Sequence, residues 1–184
     1  MGLFGPNIKE MIRQKNIAAL VEQYNLHRDS KIGKEVAFGI CKIGDVKAII
    51  QLMDNPGHLP IFIQGLVNLG DPAINPLLDA LSDESPMRQG EAITALGLMR
   101  DKRAIQPLTE VLEKKVYPSK IPALIALGEI GGNEAFFAIC RACSDEDPET
   151  SNSAKEVLRK RGYSDIEKTL KMFALVETAN RASD

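Results

Sequence analysis

The chain has 184 residues, 44% of them hydrophobic and 26% charged, which is the balance of a soluble globular protein that can bury a core. It contains no tryptophan and only 5% aromatic residues, which favours packed helices over a β-sandwich. The net charge of −2 gives no electrostatic reason to expect a nucleic-acid partner, because binding to a phosphate backbone requires a clustered basic face.

Targeting and redox features of the sequence indicate a cytoplasmic protein. The amino terminus lacks the apolar core of a secretory signal, and no later run approaches the roughly 20 apolar residues of a membrane span. The three cysteines are an odd number, which is typical of free thiols in a reducing compartment. We therefore expect a cytoplasmic location and no membrane association.

A unit of roughly 30 residues recurs along the chain, and its clearest copy is 72–101. Pro-Ala-Ile-Asn-Pro-Leu at 72–77 returns as Arg-Ala-Ile-Gln-Pro-Leu at 103–108. Ser-Asp-Glu-Ser-Pro at 82–86 returns as Ser-Asp-Glu-Asp-Pro at 144–148. A period of this length that holds two amphipathic helices is typical of an α-solenoid, in which each unit buries its apolar faces against its neighbours.

We predict one all-α domain over residues 1–184, an α-solenoid of about five helical-hairpin repeats. In chain order, a short N-terminal lead-in helix starts at Asn7, the repeats follow, and a C-terminal helix covers the open end. The repeats are predicted at approximately 16–45, 46–71, 72–101, 102–132 and 133–163, and the capping helix at 164–179.

The helix ends carry capping and turn residues. Either Asp29 or Ser30 can cap the second helix of the first repeat. Ser164 and Glu167 have the spacing of a capping box, which predicts the start of the last helix.

Two prolines leave their helix starts open. Pro76 and Pro107 lie a few residues into helical patterns, so each either kinks its helix or lies in the first turn. If Pro76 lies in the first turn, Asn75 is the cap of its helix.

The second helices of the five repeats share an apolar stripe at helical spacing, which predicts the core. Two columns define it when the repeats are aligned. These columns are Ile40, Leu66, Leu96, Leu127 and Leu158, and, four residues earlier, Val36, Phe62, Ala92, Ala123 and Ala154.

The opposite side of the second helices is the candidate partner-binding face, because packing does not require it to be apolar. Several of its residues are nevertheless apolar, and they either form an exposed patch on the concave side or tuck against an adjacent helix. The candidate face consists of Phe38, Ile61, Glu91, Thr94, Leu98, Pro122, Ile125 and Glu129.

Four segments carry a family resemblance: Gly-Asp-Pro-Ala-Ile-Asn-Pro-Leu at 70–77, Ser-Asp-Glu-Ser-Pro-Met-Arg at 82–88, Thr-Ala-Leu-Gly at 94–97 and Ala-Leu-Gly-Glu-Ile-Gly at 126–131. The chain resembles the HEAT-like repeat family of the phycobilisome-lyase type. The resemblance implies a stack of helical hairpins. It also implies one of three functions, since the family contains bilin lyases, a di-iron hydroxylase and interaction scaffolds without catalysis.

Histidine content argues against a metal centre. The di-iron relatives are expected to carry several His-Glu pairs at repeated positions, whereas here His27 is followed by Arg28 and His58 by Leu59. We predict that both histidines are exposed turn residues and that the chain binds no metal.

The remaining polar motifs have structural explanations. Cys140 and Cys143 form a CxxC pair typical of redox or metal sites, but the repeat aligns them with the core positions Leu78 and Leu81. The acidic turns at 83–84 and 145–149 could hold a cation or a carboxylate pair, but acids before a helix also complement its dipole and its free amides. We favour the structural role for both motifs.

These observations predict a non-catalytic protein–protein interaction module or scaffold that binds a protein partner on the candidate face. The alternative, implied by the resemblance alone, is a subunit of a bilin lyase or of a similar cofactor-handling enzyme. We predict no catalytic residues and no cofactor.

Overall fold

The computed structural model describes residues 7–113 and 117–181, and across these ranges the regular structure is helical without any strand. The α-helices within them are α1 (Ile8–Arg13), α2 (Ile17–Leu26), α3 (Lys31–Ile43), α4 (Val46–Gln51), α5 (Leu59–Leu69), α6 (Asp71–Asp79), α7 (Pro86–Met99), α8 (Ile105–Glu113), α9 (Tyr117–Ile130), α10 (Asn133–Ala142), α11 (Pro148–Lys160) and α12 (Ile166–Arg181). Short 3-10 turns precede α7 and α8. The all-α, α-solenoid class predicted from the repeat is confirmed.

The chain divides into two compact units, one ending at Ala95 and the other beginning at Leu96 within α7. In the first unit α2 packs on α3 and α4 on α5, while α3 also packs on α5 and α4 on α6. In the second unit α8 packs on α9 and α10 on α11, while α9 also packs on α11 and α8 on α10. Within each unit, therefore, first helices contact first helices and second helices contact second helices.

The two predicted core columns are buried along their whole length. Each member has a relative exposure of 0% or 1%, and the helical spacing of i and i+4 explains why both columns face the same layer. The lead-in helix α1 covers one part of the first unit by packing on α2 and α3, and α12 packs on α10 and α11.

The start of α3 agrees with the cap predicted from the sequence, whereas the start of α12 does not. Ser30 caps α3, since its hydroxyl accepts hydrogen bonds from two backbone N–H groups. The predicted capping box of Ser164 and Glu167 is wrong: α12 begins one residue later, and the Lys168 N–H donates to Asp165 Oδ1 at 2.9 Å. Aspartate is as good an N-cap residue as serine, and Asp165 is placed so that its side-chain oxygen accepts the N–H three residues later.

The two ambiguous prolines occupy different positions in their helices. Pro76 is the sixth residue of α6, which starts after Gly70, so Asn75 is not a cap. Pro107 is the third residue of α8 and lies in its first turn. A proline in the first turn removes an N–H that has no helical partner, whereas Pro76 removes one interior hydrogen bond.

The prediction that both histidines are exposed is wrong for His58. Its side chain is only 7% exposed, and Nδ1 lies 3.2 Å from the hydroxyl of the fully buried Tyr24. The tyrosine ring also packs edge-on against Phe62, at 5.5 Å between centroids. The imidazole is buried because it has a polar partner there. His27 is half-buried.

Candidate functional site

Three apolar residues of the candidate face are left uncovered by the fold. Phe38 and Leu98 are each 55% exposed and Ile125 is 54% exposed, although all three lie on helices with a fully buried opposite side. A large apolar side chain at this exposure forgoes favourable burial, so each of the three is a candidate contact residue in its own unit.

The other members of the candidate face are less accessible or already engaged. Ile61, Glu91 and Pro122 are half-buried, so they are less accessible than Phe38, Leu98 and Ile125. Burial raises the pKa of the Glu91 carboxyl above its ordinary value. The exposed Thr94 hydroxyl donates to the Gly90 carbonyl at 2.9 Å, which satisfies it within its own helix.

In the second unit, Leu98 and Ile125 flank a close contact between α7 and α9. A Cβ atom added to Gly97 would lie 2.8 Å from the Ala126 Cβ, so the glycine permits this approach of the two helices. Leu98 follows Gly97 and Ile125 precedes Ala126, which places both exposed side chains on helices in direct contact. We call Leu98 and Ile125 the apolar pair.

An ion pair borders the apolar pair. Arg100 Nη2 lies 2.8 Å from Glu129 Oε2, and both side chains are largely exposed, at 67% and 47%. Sequence reasoning placed Glu129 on the candidate face but missed Arg100. The signal was present in the repeat: Arg100 aligns with Gly44, Gly70 and Gly131, which end the equivalent helices of other repeats.

Arg100 and Lys15 share an unusual backbone conformation. They are the non-glycine residues with positive φ in the described part of the chain, at 53° and 52°. Lys15 ends α1 in a Schellman motif: its N–H donates to Ile12 O at 3.1 Å, and the Asn16 N–H donates to Met11 O at 2.9 Å. Glycine is the usual residue at this position because a Cβ atom is strained there, so the two basic side chains are held at a conformational cost.

Phe38, the remaining exposed apolar residue of the candidate face, lies in a groove between α1 and α3. The groove has a volume of about 580 Å³. We call it the N-terminal groove; its lining is Lys9, Ile12, Arg13, Lys15, Glu35, Phe38, Gly39, Lys42 and Ile43. Sequence reasoning missed this groove because α1 and α3 belong to different elements of the repeat pattern, and only the packing brings them together.

The cysteine pair lies in the core, as predicted. Cys140 is 1% exposed and Cys143 is 4% exposed. Burial, with a smaller contribution from Cys143, raises the pKa of the Cys140 thiol to about 12, and burial also raises the pKa of Cys143. Protonated, enclosed thiols are poor nucleophiles and poor metal ligands. Within residues 7–113 and 117–181, no group of three or more His, Cys, Asp or Glu side chains is arranged to hold a metal ion.

The acidic turns are used to build the fold. The Arg88 guanidinium donates to both Asp83 carboxylate oxygens, at 3.0 and 2.8 Å, and also contacts Asp54. The Lys120 ammonium contacts Asp145 at 2.7 Å, with both side chains mostly buried. Asp147 caps α11 by accepting the Thr150 N–H at 2.8 Å. These carboxylates already have partners, as the structural interpretation requires.

Residues 60–119 match the family model for HEAT repeats. The match covers about a third of the chain and includes the helices that carry Ile61, Glu91 and Leu98. It supports a HEAT-like repeat protein, while the phycobilisome-lyase type stays a prediction. No curated protein matches the chain. HEAT repeats generally serve as protein-interaction scaffolds and are typically non-catalytic.

No helix within the described ranges combines the length and the apolar character that crossing a membrane requires.

Proposed function

We propose that this chain is a non-catalytic, cytoplasmic interaction module that binds a protein partner through the exposed residues of its second helices. The observation that carries the proposal is the exposure of Phe38, Leu98 and Ile125, each more than half accessible on a helix whose other side is fully buried. Apolar anchors of this kind, bordered by charged groups, are the usual centre of a protein interface.

The apolar pair is the part of this face that a partner would bury most easily in the second unit. Its border, the Arg100–Glu129 ion pair, is exposed and contributes little to folding by itself. Two charged side chains beside two apolar ones offer both hydrogen bonds and buried area. The proposed ligand on this patch is an extended or helical segment of another protein.

The test compares capture of partners from the source lysate by the wild type and by the double variant Leu98→Asp plus Ile125→Asp. We expect the captured amount of at least one partner to fall about ten-fold or more, because a buried carboxylate is strongly unfavourable at an interface. Circular dichroism and thermal melting should show that both proteins fold.

The matched control places the same charges elsewhere. Leu26 of α2 is 66% exposed and Leu175 of α12 is 71% exposed, and neither lies on a second helix of the candidate face. The double variant Leu26→Asp plus Leu175→Asp should capture the same partners as the wild type. Loss of the same partners from both double variants, or from neither, would rule out this face as the binding surface.

A further inference from the structure

We propose that the N-terminal groove binds an acidic peptide segment of a partner protein, with an apolar side chain of that segment against Phe38 and Ile12 and its carboxylates at the basic rim. This inference rests on the proposed function, because Phe38 belongs to the candidate face. It adds the chemistry of the segment that is bound.

The floor and one wall of the groove are apolar. Ile12 of α1 lies directly over Gly39 of α3, where a Cβ atom would collide with the isoleucine side chain. The glycine therefore allows α1 to approach α3 and leaves Ile12 at the base of the groove. Phe38, the residue before Gly39, is 55% exposed and forms a wall that an apolar side chain could cover.

The rim of the groove is basic. Lys9, Arg13, Lys15 and Lys42 line it, against the single carboxylate of Glu35. All four basic side chains are exposed, and Arg13 is paired with Glu10, at 2.6 Å, beside the groove. This local excess of positive charge stands in a chain whose net charge is −2. Charge complementarity therefore selects an acidic ligand.

Lys15 supplies a second reason to regard the rim as functional. Its φ of 52° ends α1 in a conformation that glycine adopts without strain. A lysine there makes folding less favourable but adds a cation to the groove. Strained positions that persist in a fold are candidates for function, and this one lies in the lining of the proposed site.

A groove favours a peptide over a flat anionic membrane surface. The apolar floor lies between two helices, where a single side chain can reach it but a bilayer surface meets mainly the rim. A segment that carries Leu or Phe between Glu and Asp residues contacts both floor and rim at once.

The experiment measures fluorescence anisotropy with a labelled synthetic peptide of about 12 residues, in which Leu and Phe are interspersed with Glu and Asp. Two comparison peptides replace Glu and Asp by Gln and Asn, or Leu and Phe by Ser. We expect the acidic apolar peptide to bind at least about five-fold more tightly than either comparison peptide, with affinity that falls as salt rises.

The variants isolate the groove. Lys42→Glu is expected to weaken binding about five-fold or more, whereas Lys34→Glu, an identical change on α3 outside the lining, should alter it less than about two-fold. Phe38→Ser should weaken binding, and Leu26→Ser, at an exposed leucine on α2, should not.

Lys15→Gly separates binding from folding. This substitution removes a rim charge and relieves the positive φ, so we expect weaker peptide binding, by about three-fold, together with a melting temperature that is equal or raised by about 2–4 °C. If Lys15 had only a structural role, Lys15→Gly would leave the peptide affinity unchanged as long as the protein kept its stability.

Several results would overturn the inference. The first is equal affinity for the acidic and the amide peptides. The second is an equal effect of Lys42→Glu and Lys34→Glu on peptide binding. The third is that no peptide binds, whereas anionic phospholipid vesicles bind and Lys42→Glu abolishes that binding. Concentration-dependent dimerisation that Phe38→Ser abolishes would assign the groove to a second copy of the chain. If the peptide fails to bind while Leu98→Asp plus Ile125→Asp still removes a partner, this inference fails and the proposed function stands.

Discussion

Arg100 occupies a position where other repeats of this chain use glycine. Gly44, Gly131 and Gly162 end their helices with φ of 83°, 73° and 96°, and Arg100 does so with φ of 53°. A side chain at positive φ is strained by about 1–2 kcal/mol. The exposed ion pair with Glu129 offsets at most part of this strain, since pairs at such exposure contribute about 0–1 kcal/mol.

Replacement of Arg100 by glycine is therefore expected to stabilise the protein, by about 0.5–1 kcal/mol relative to Arg100→Ala. The alanine variant loses the same ion pair but keeps a Cβ atom at positive φ, so the comparison isolates the backbone. Urea unfolding measures the difference. A glycine variant no more stable than the alanine variant would show that the position carries no strain.

The burial of a residue is predictable from sequence where the equivalent positions of other repeats have the same environment. Leu96 and Leu127 were assigned to the core because their alignment with other repeats fixes the helix face, and both are fully buried. His58 was not predictable in this way. Its burial depends on the Tyr24 hydroxyl, 34 residues away in sequence, and no local pattern reports such a partner.

At the scale of the helix, the first turn of α12 depends on the identity of the capping residue. Asp165→Ala is expected to cost about 1 kcal/mol, because the Lys168 N–H loses its acceptor and the helix dipole loses a nearby anion. Ser164→Ala, one residue earlier, should have an effect below about 0.5 kcal/mol. Thermal or urea unfolding of the two variants makes the comparison.

The control for this pair is the double variant, which should match Asp165→Ala alone. If Ser164→Ala proved as costly as Asp165→Ala, the capping box predicted from the sequence would describe the helix start better than the observed hydrogen bond does.

Helix boundaries are predictable from sequence to within the residues that can serve as caps. The sequence offers Asp29 or Ser30 as the cap of α3, and the structure uses Ser30, so that α3 runs from Lys31 to Ile43 and ends before Gly44. Pro76 gave no such answer, since proline is compatible with both a first turn and a kink. Only the preceding residues, which continue α6 back to Asp71, decide between the two.

Across the molecule, the repeat pattern predicts one of the two candidate surfaces and not the other. The repeat predicts the candidate face on the second helices, and Phe38, Leu98 and Ile125 are each more than half exposed. The N-terminal groove could not be predicted, because it forms between a lead-in helix and a repeat. Its charge is visible only after Lys9 and Lys42 are brought together by folding.

Stability of the molecule should fall in acid, because the folding contacts described above use ionised carboxylates. Hydrogen bonds from Arg88 lower the pKa of Asp83. The Arg103 guanidinium also donates to both Asp101 carboxylate oxygens, at 2.9 and 2.7 Å, and lowers the pKa of Asp101. Burial alone would raise the pKa of Asp145, but the contacts with Lys120 and a backbone N–H outweigh it and lower the pKa. The Thr150 hydroxyl and N–H lower the pKa of Asp147.

A carboxyl whose pKa is lower in the folded state gives a contribution that is complete above the unfolded value, near 4, and is lost as pH falls through the folded value. The urea midpoint should therefore be steady near neutral pH and decline below about pH 4. Asp83→Asn plus Asp147→Asn should start lower at pH 7 and decline less steeply, since two of the titrating groups are absent.

Glu91 supplies the control of opposite sign. Burial raises the pKa of its carboxyl, so ionisation of Glu91 disfavours the folded state and its contribution improves as pH falls through the raised value. Glu91→Gln should thus raise stability at pH 7 and make the decline toward acid steeper, whereas the aspartate variants make it shallower. A urea midpoint that did not change between pH 7 and pH 3 in the wild type would contradict the role given to the turn carboxylates, because their protonation would then leave the fold unaffected.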